Sequence, residues 1–200
     1  MIIWLASYPK SGNTLLRSIL ATYFFSKEGE FKFDYLYKIE QFPSISNFEN
    51  IGVDVLDEKK VFNNFIQAQK FINKEKNKVK FIKTHSSLSR INDSNFTDLE
   101  NTMGAVYIVR DPRNVIKSYA HHYDLSLDEA ADVMIDQTRW LVKTDKMFKT
   151  FLSSWSINYN SWKQLGDKVL FVKYEDLINK KKNTLIKIFN FIQKLGMKDL

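Results

Sequence analysis

Lys10, Ser11 and Thr14 surround Gly12 in the stretch Tyr8-Pro9-Lys10-Ser11-Gly12-Asn13-Thr14, between a continuously apolar run and a helical pattern. These residue types in this order suit an anion. A short loop feeding a helix leaves backbone N–H groups unpaired and aims the positive end of the helix dipole at one spot. An ammonium and two hydroxyls add to that spot. An ordinary strand–turn–helix with a solvated lysine uses the same residues, and geometry alone leaves both readings open. The loop is not a Walker A motif, which requires a Gly, four residues and then Gly-Lys-Ser/Thr. Here the lysine precedes the glycine, and no Gly-Lys pair occurs anywhere in the chain.

Further along, Phe81-Ile82-Lys83-Thr84-His85 ends a strand pattern. A histidine at the mouth of a parallel sheet can act as a base near neutral pH; it can equally be a strand-end histidine satisfied by the backbone. Val109-Arg110-Asp111-Pro112 follows another apolar run. Asp111 suits an N-cap and Pro112 the first helical position, so a helix is expected from there, with Ser118 about two turns in. Arg110 precedes the cap and can grip a phosphate as a rigid fork, or form a surface ion pair. Two adjacent histidines, His121 and His122, point in different directions on a helix and are expected near the surface rather than as a metal pair. Tyr174-Glu175-Asp176 reads as a helix-start turn with acidic residues at the positive end of the dipole.

The elements that must carry these groups follow from periodicity. Residues 2–6 are continuously apolar, as a strand covered on both faces should be. Residues 78–85, 104–109 and 169–174 read as further strands. Helices are expected over residues 59–73, over 127–138 behind a Ser126/Glu129 capping box, over 146–165, and in a last amphipathic segment with Leu185, Ile188, Phe189, Ile192 and Leu195 on one face. The aromatics of 146–165 are expected in the core. Residues 31–50 are the least regular stretch and are expected to form a mobile loop over the site. Strands alternating with helices predict an α/β fold, a central parallel sheet flanked by helices in three layers, with ligands bound beyond the C-terminal strand ends.

Composition narrows the chemistry. The chain has 200 residues, 44% of them hydrophobic, enough for one domain over residues 1–200 with a real core. It has no cysteine, which excludes disulfides, thiolate catalysis and zinc–sulfur sites. The formal charge of +7 favours anionic ligands. The excess is spread out, with Lys180-Lys181-Lys182 the only dense run, so nucleic acid is not the expected partner. The first apolar run is too short to span a bilayer and has no basic region before it, from which a cytoplasmic location is expected.

The order Tyr-Pro-Lys-Ser-Gly, a small polar pair and a helix resembles the 5′-phosphosulfate loop of the sulfotransferases that use 3′-phosphoadenosine 5′-phosphosulfate (PAPS). Lys83-Thr84-His85 resembles that family's catalytic triplet, Arg110 with Ser118 its 3′-phosphate site, and Tyr174-Glu175-Asp176 the turn whose tyrosine contacts adenine. The resemblance implies a P-loop-type fold and sulfuryl transfer from PAPS to a hydroxyl or amine of a small-molecule or glycan acceptor. It implies His85 as the base, Lys83 on the sulfuryl oxygens, and Lys10 on the leaving phosphate oxygen. It also implies the 5′-phosphate on the N–H groups of Ser11, Gly12, Asn13 and Thr14, and the rest of the donor on Arg110, Ser118 and Tyr174. No metal is expected, because no Walker-type Ser/Thr–Asp pair is present to hold magnesium. The chain departs from the family at Leu15, where a tryptophan is usual; at Ser86-Ser87, where Leu-Pro is common; and at Asn158, where histidine is usual. It also ends at Leu200, before the Arg-Lys-Gly or Arg-x-Gly segment that generally closes over the 3′-phosphate. A nucleotide-binding module without turnover and a P-loop phosphotransferase for a small metabolite are the alternatives. The sequence leaves oligomeric state and acceptor identity open.

Overall fold

The computed structural model describes residues 1–74, 78–91 and 93–197; the chain end at Leu200 lies outside them. The first half runs β1 (Ile2–Ser7), α1 (Asn13–Phe25), a 3₁₀ turn (Phe33–Lys38), α2 (Ile45–Glu49), α3 (Glu58–Asn63), α4 (Phe65–Ile72), β2 (Lys80–Thr84), and the short strands β3 (Arg90–Ile91) and β4 (Ser94–Asn95). The second half runs β5 (Thr102–Val109), α5 (Pro112–Tyr123), α6 (Leu127–Ile135), the short strands β6 (Trp140–Leu141) and β7 (Thr150–Phe151), α7 (Trp155–Ser161), a second 3₁₀ stretch (Trp162–Lys168), β8 (Val169–Lys173), α8 (Tyr174–Asn179) and α9 (Lys181–Lys194).

β1 is buried along its whole length, as its unbroken apolar run requires. It lies inside a parallel four-stranded sheet ordered β2-β1-β5-β8. Its side chains alternate between two cores. Ile2, Trp4 and Ala6 pack with Phe48, Val61, Phe65 and Trp162 on one face, and Ile3 and Leu5 with Leu16, Leu20, Ile188 and Ile192 on the other. Helices therefore cover both faces of the sheet, the expected three layers. Chain order reverses at β1, with β2 on one side and β5 on the other, so the loops leaving the C-terminal ends of these strands converge. A third cluster of Tyr8, Val115, Tyr119, Ala130, Met134 and Leu152 braces that end beneath α5 and α6. Among the described residues, no helix is long and apolar enough to cross a membrane.

Several expected elements differ. The helix over 59–73 breaks at Asn64 into α3 and α4, where the Asn64 side chain donates to Lys60 O at 2.8 Å and competes with the helical ladder. The helix over 127–138 starts on its capping box as expected but stops at Ile135. The segment 146–165 is not one helix. Thr150 and Phe151 pair with β6, Ser153 has a left-handed φ of 56°, and Ser154 then caps α7. Serine side chains win here: Ser153 Oγ reaches Gln137 O at 2.9 Å, and Ser154 Oγ accepts from Ile157 N at 3.3 Å. Phe148, Leu152 and Trp162 are nonetheless core, as their apolar character demands. Residues 31–50 are structured too, with the 3₁₀ turn, α2 and a parallel bridge from Gln41 to Lys83 beside β2.

Candidate functional site

The loop after β1 is a tight turn with two residues in the left-handed region, Lys10 at φ 65° and Gly12 at φ 99°. Gly12 is required twice over. Its φ disfavours any side chain, and a Cβ there would lie 2.2 Å from Cδ2 of Tyr174. α1 opens on Gly12 without a side-chain cap, so its first N–H groups keep no intrahelical partner. Ser11 N–H is already used, donating to Tyr8 O at 3.3 Å, which leaves the expected anion cradle to Gly12, Asn13 and Thr14. The Ser11 hydroxyl is buried and has no hydrogen-bond partner. Thr14 is exposed at the helix start. The Asn13 side chain turns inward, donating to Leu5 O at 2.8 Å and to Ser7 Oγ at 3.1 Å. It locks the loop onto β1, so Asn13 can meet a ligand only through its backbone.

At the end of β2, His85 Nδ1 lies 2.8 Å from Ser7 O. A carbonyl only accepts, so Nδ1 carries the proton and Nε2 keeps the lone pair. Burial, reinforced by the charges of Lys83, Arg17 and Lys10, holds the His85 pKa well below its ordinary 6.5. The ring is therefore neutral at pH 7, with its lone pair on Nε2. Lys83 donates from Nζ to Gln41 Oε1 at 2.7 Å. Burial first, and then the Arg17 charge, push its pKa down to about 8. Asn158 fixes the backbone of this strand end. Its amide donates to His85 O at 3.0 Å and Leu152 O at 2.9 Å, and its carbonyl accepts from Tyr107 Oη at 2.8 Å.

Arg110, beyond β5, donates from Nη1 to Lys10 O at 3.0 Å and stacks over the Tyr174 ring at 4.5 Å. Its buried Nε has no partner. Tyr174 begins α8 at the end of β8, so one ring ties Gly12 and Arg110 together. The expected cap on α5 is present: Asp111 accepts from Arg113 N at 3.0 Å. Its contacts with Arg113 also hold the Asp111 carboxyl down at about 2.

Two cavities meet at these groups. One, of about 480 Å³, is lined by Lys10, Gly12, Asn13, Thr14, Arg110 and Tyr174, together with Lys83 and His85. The other, of about 220 Å³, is lined by Phe42, Leu141, Val142, Met147 and Phe148, again with Lys83 and His85. Tyr123 and Leu141 also border both. The structure thus brings together the loop, Lys83, His85, Arg110 and Tyr174. Ser118, half-buried on α5, does not line the polar cavity. His121 and His122 are exposed, and His122 borders the polar cavity. Among the described residues, no group of three or more His, Cys, Asp or Glu is placed to hold a metal ion.

Gln41, Arg17 and Tyr123 were not singled out by the sequence, and Asn158 was noted only as a departure from the family's histidine, with no role attached. Asn158 carried a signal, as a polar residue within an aromatic stripe. Gln41 lies in the irregular stretch and had none.

The fold is similar to solved structures that hold PAP, one of them a sulfotransferase. Mouse sulfotransferase SULT7A1 complexed with PAP matches with a TM-score of 0.58 at 21% identity, over 99% of this chain and 59% of that chain. Retinol dehydratase in a complex with retinol and PAP matches at 0.56 and 17% identity, over 98% and 60%. The same enzyme with androsterone and inactive cofactor PAP gives 0.53 and 16%, over 98% and 63%. The chain spans about three fifths of the length of these structures. No curated protein matches it. The sequence model of the sulfotransferase domain matches residues 2–197, nearly the whole length, and the chain belongs to that family.

Proposed function

We propose that the chain, acting as one domain, moves a sulfuryl group from PAPS to a hydroxyl on a compact, largely apolar acceptor. The observation that carries this reading is the junction of a polar, cation-lined cavity with an apolar one at Lys83 and His85. The donor fits the polar side. Its opening holds a helix start with unpaired N–H groups, and around it lie a buried Ser11 hydroxyl and an Arg110 Nε without partners. The 5′-phosphate belongs on the N–H groups of Gly12 to Thr14, and the 3′-phosphate on Arg110, which lines the cavity as Ser118 does not. Tyr174 lies beside both.

In the reaction, the acceptor oxygen forms a bond to sulfur as the bond from sulfur to the 5′-phosphate oxygen breaks. The acceptor proton passes to His85 Nε2. Lys83 and Lys10 offset the charge on the sulfuryl oxygens and on the departing phosphate oxygen. Such transfer depends on positioning and electrostatics more than on covalent catalysis. The apolar cavity suits one ring or a short hydrocarbon body better than a glycan.

The test is calorimetric titration of the chain with 3′-phosphoadenosine 5′-phosphate, AMP, and ATP with magnesium, followed by transfer from PAPS to a simple phenol. Tight binding of the first nucleotide with transfer is the expected result. Preference for ATP with magnesium would turn the reading toward a phosphotransferase.

A further inference from the structure

Residues 39–43 form a strap along the free edge of β2. Lys83 N–H donates to Glu40 O at 2.9 Å, and Phe42 N–H donates to Lys83 O at 2.9 Å. Gln41 is therefore the parallel-bridge partner of Lys83. Directly paired residues present their side chains on the same face of a sheet, which is why Gln41 Oε1 meets Lys83 Nζ at 2.7 Å. The strap is anchored from the donor side. Arg17, one turn into α1, donates from Nη2 to Leu36 O at 2.8 Å and to Ile39 O at 2.7 Å. The helix that opens at the anion loop thus sets the position of Gln41.

The chemistry of the partner matters. A lysine side chain is long and flexible, so a site that uses its charge must fix the ammonium. A carboxylate would fix it and cancel its charge. An amide oxygen fixes it and leaves the charge available. We propose, resting on the sulfotransferase reading above, that Gln41 is the positioning residue for Lys83, holding its ammonium at the junction of the two cavities so that its charge acts on the transferring sulfuryl group. The hydrogen bond also favours the charged form, against the burial and the Arg17 charge that lower the Lys83 pKa to about 8. The other ionisable groups around Lys83 are His85 at the strand end, Lys10 in the loop, Tyr123 from α5 and Glu40 on the strap.

The experiment needs no acceptor. Gln41→Leu and Gln41→Glu are compared with the unaltered chain, each labelled with ¹⁵N-lysine. The Lys83 Nζ resonance is titrated with pH, and affinities for PAPS and for 3′-phosphoadenosine 5′-phosphate are measured calorimetrically. The expected result for Gln41→Leu is a lower Lys83 titration point and a PAPS preference reduced about fivefold, with affinity for the desulfated nucleotide within about twofold. Gln41→Glu, nearly isosteric and so able to decide alone if the leucine variant does not fold, should raise the titration point yet also reduce the preference. Unmoved Lys83 titration and unmoved preference in a variant that binds both nucleotides would overturn the role of Gln41. An unaltered chain that binds neither nucleotide would instead overturn the sulfotransferase reading.

Discussion

Lys83 and His85 share one strand end, yet the proposed transfer needs the first charged and the second neutral. Burial lowers both pKa values, His85 well below 6.5 and Lys83 to about 8, so a window near neutrality satisfies both demands. The expected kcat/KM for a phenol acceptor is flat across that window. It falls on the acid side as His85 takes a proton, and above about pH 8 as Lys83 loses one. Stability should run the other way at high pH. Lys83 has a folded pKa below its ordinary 10.5, so the unfolded chain binds more protons between about 8 and 10.5, and stability rises with pH there. Activity that declines while urea midpoints rise above pH 8 would therefore mark chemistry rather than unfolding. His85→Ala should lower single-turnover transfer on the order of 10²–10⁴-fold with donor affinity within a few fold; a loss under tenfold would make His85 structural. Lys10→Ala should reduce kcat about 10²-fold with a smaller loss in donor affinity. The cation counts most when charge gathers on the departing oxygen.

Each strand end of the sheet delivers one part of the candidate site, and these parts were marked in the sequence by short motifs. Lys10 to Thr14 followed a buried strand, Lys83 to His85 ended an alternating one, and Asp111-Pro112 announced α5. Such signals are local, because phosphate loops, caps and strand ends are made by neighbouring residues. What was not legible is held by contacts distant in sequence. Gln41 meets Lys83 only because the strap lies along β2, and Arg17 reaches Leu36 and Ile39 across a turn. Residues 146–165 read as a helix because aromatic spacing was helical, while serines at 153 and 154 redirected the chain through side-chain bonds. Asn158, at a family histidine position, acquires a role from the structure. Fully buried, it joins α7 to β5 and to the end of β2. Asn158→Leu removes the acceptor for the Tyr107 hydroxyl and the donor for two carbonyls, an expected loss of about 2–4 kcal/mol read from urea unfolding. A change within ±0.5 kcal/mol would mean that the segment tolerates its absence.

At the scale of the whole molecule, the site has no element to itself. The loop follows β1, His85 follows β2, Arg110 follows β5 and Tyr174 follows β8, so a donor that touches all of them ties the four strand ends together. A ligand that binds only this arrangement stabilises the fold by mass action, by about 2.7 kcal/mol at a concentration 100-fold above its Kd. For a chain of this size that is a rise in Tm of roughly 5–10 °C. The comparison with AMP isolates the 3′-phosphate. If the Arg110 contact contributes about 1.5–3 kcal/mol, AMP binds roughly 10- to 150-fold more weakly. At the same concentration AMP then stabilises by only about 0.3–1.3 kcal/mol. Thermal unfolding with each nucleotide should therefore show a large shift for 3′-phosphoadenosine 5′-phosphate and a small one for AMP. Arg110→Gln should bring the two shifts together while its neutral amide still packs on Tyr174. Equal shifts in the unaltered chain would show that Arg110 serves only to hold Lys10 and Tyr174 in place.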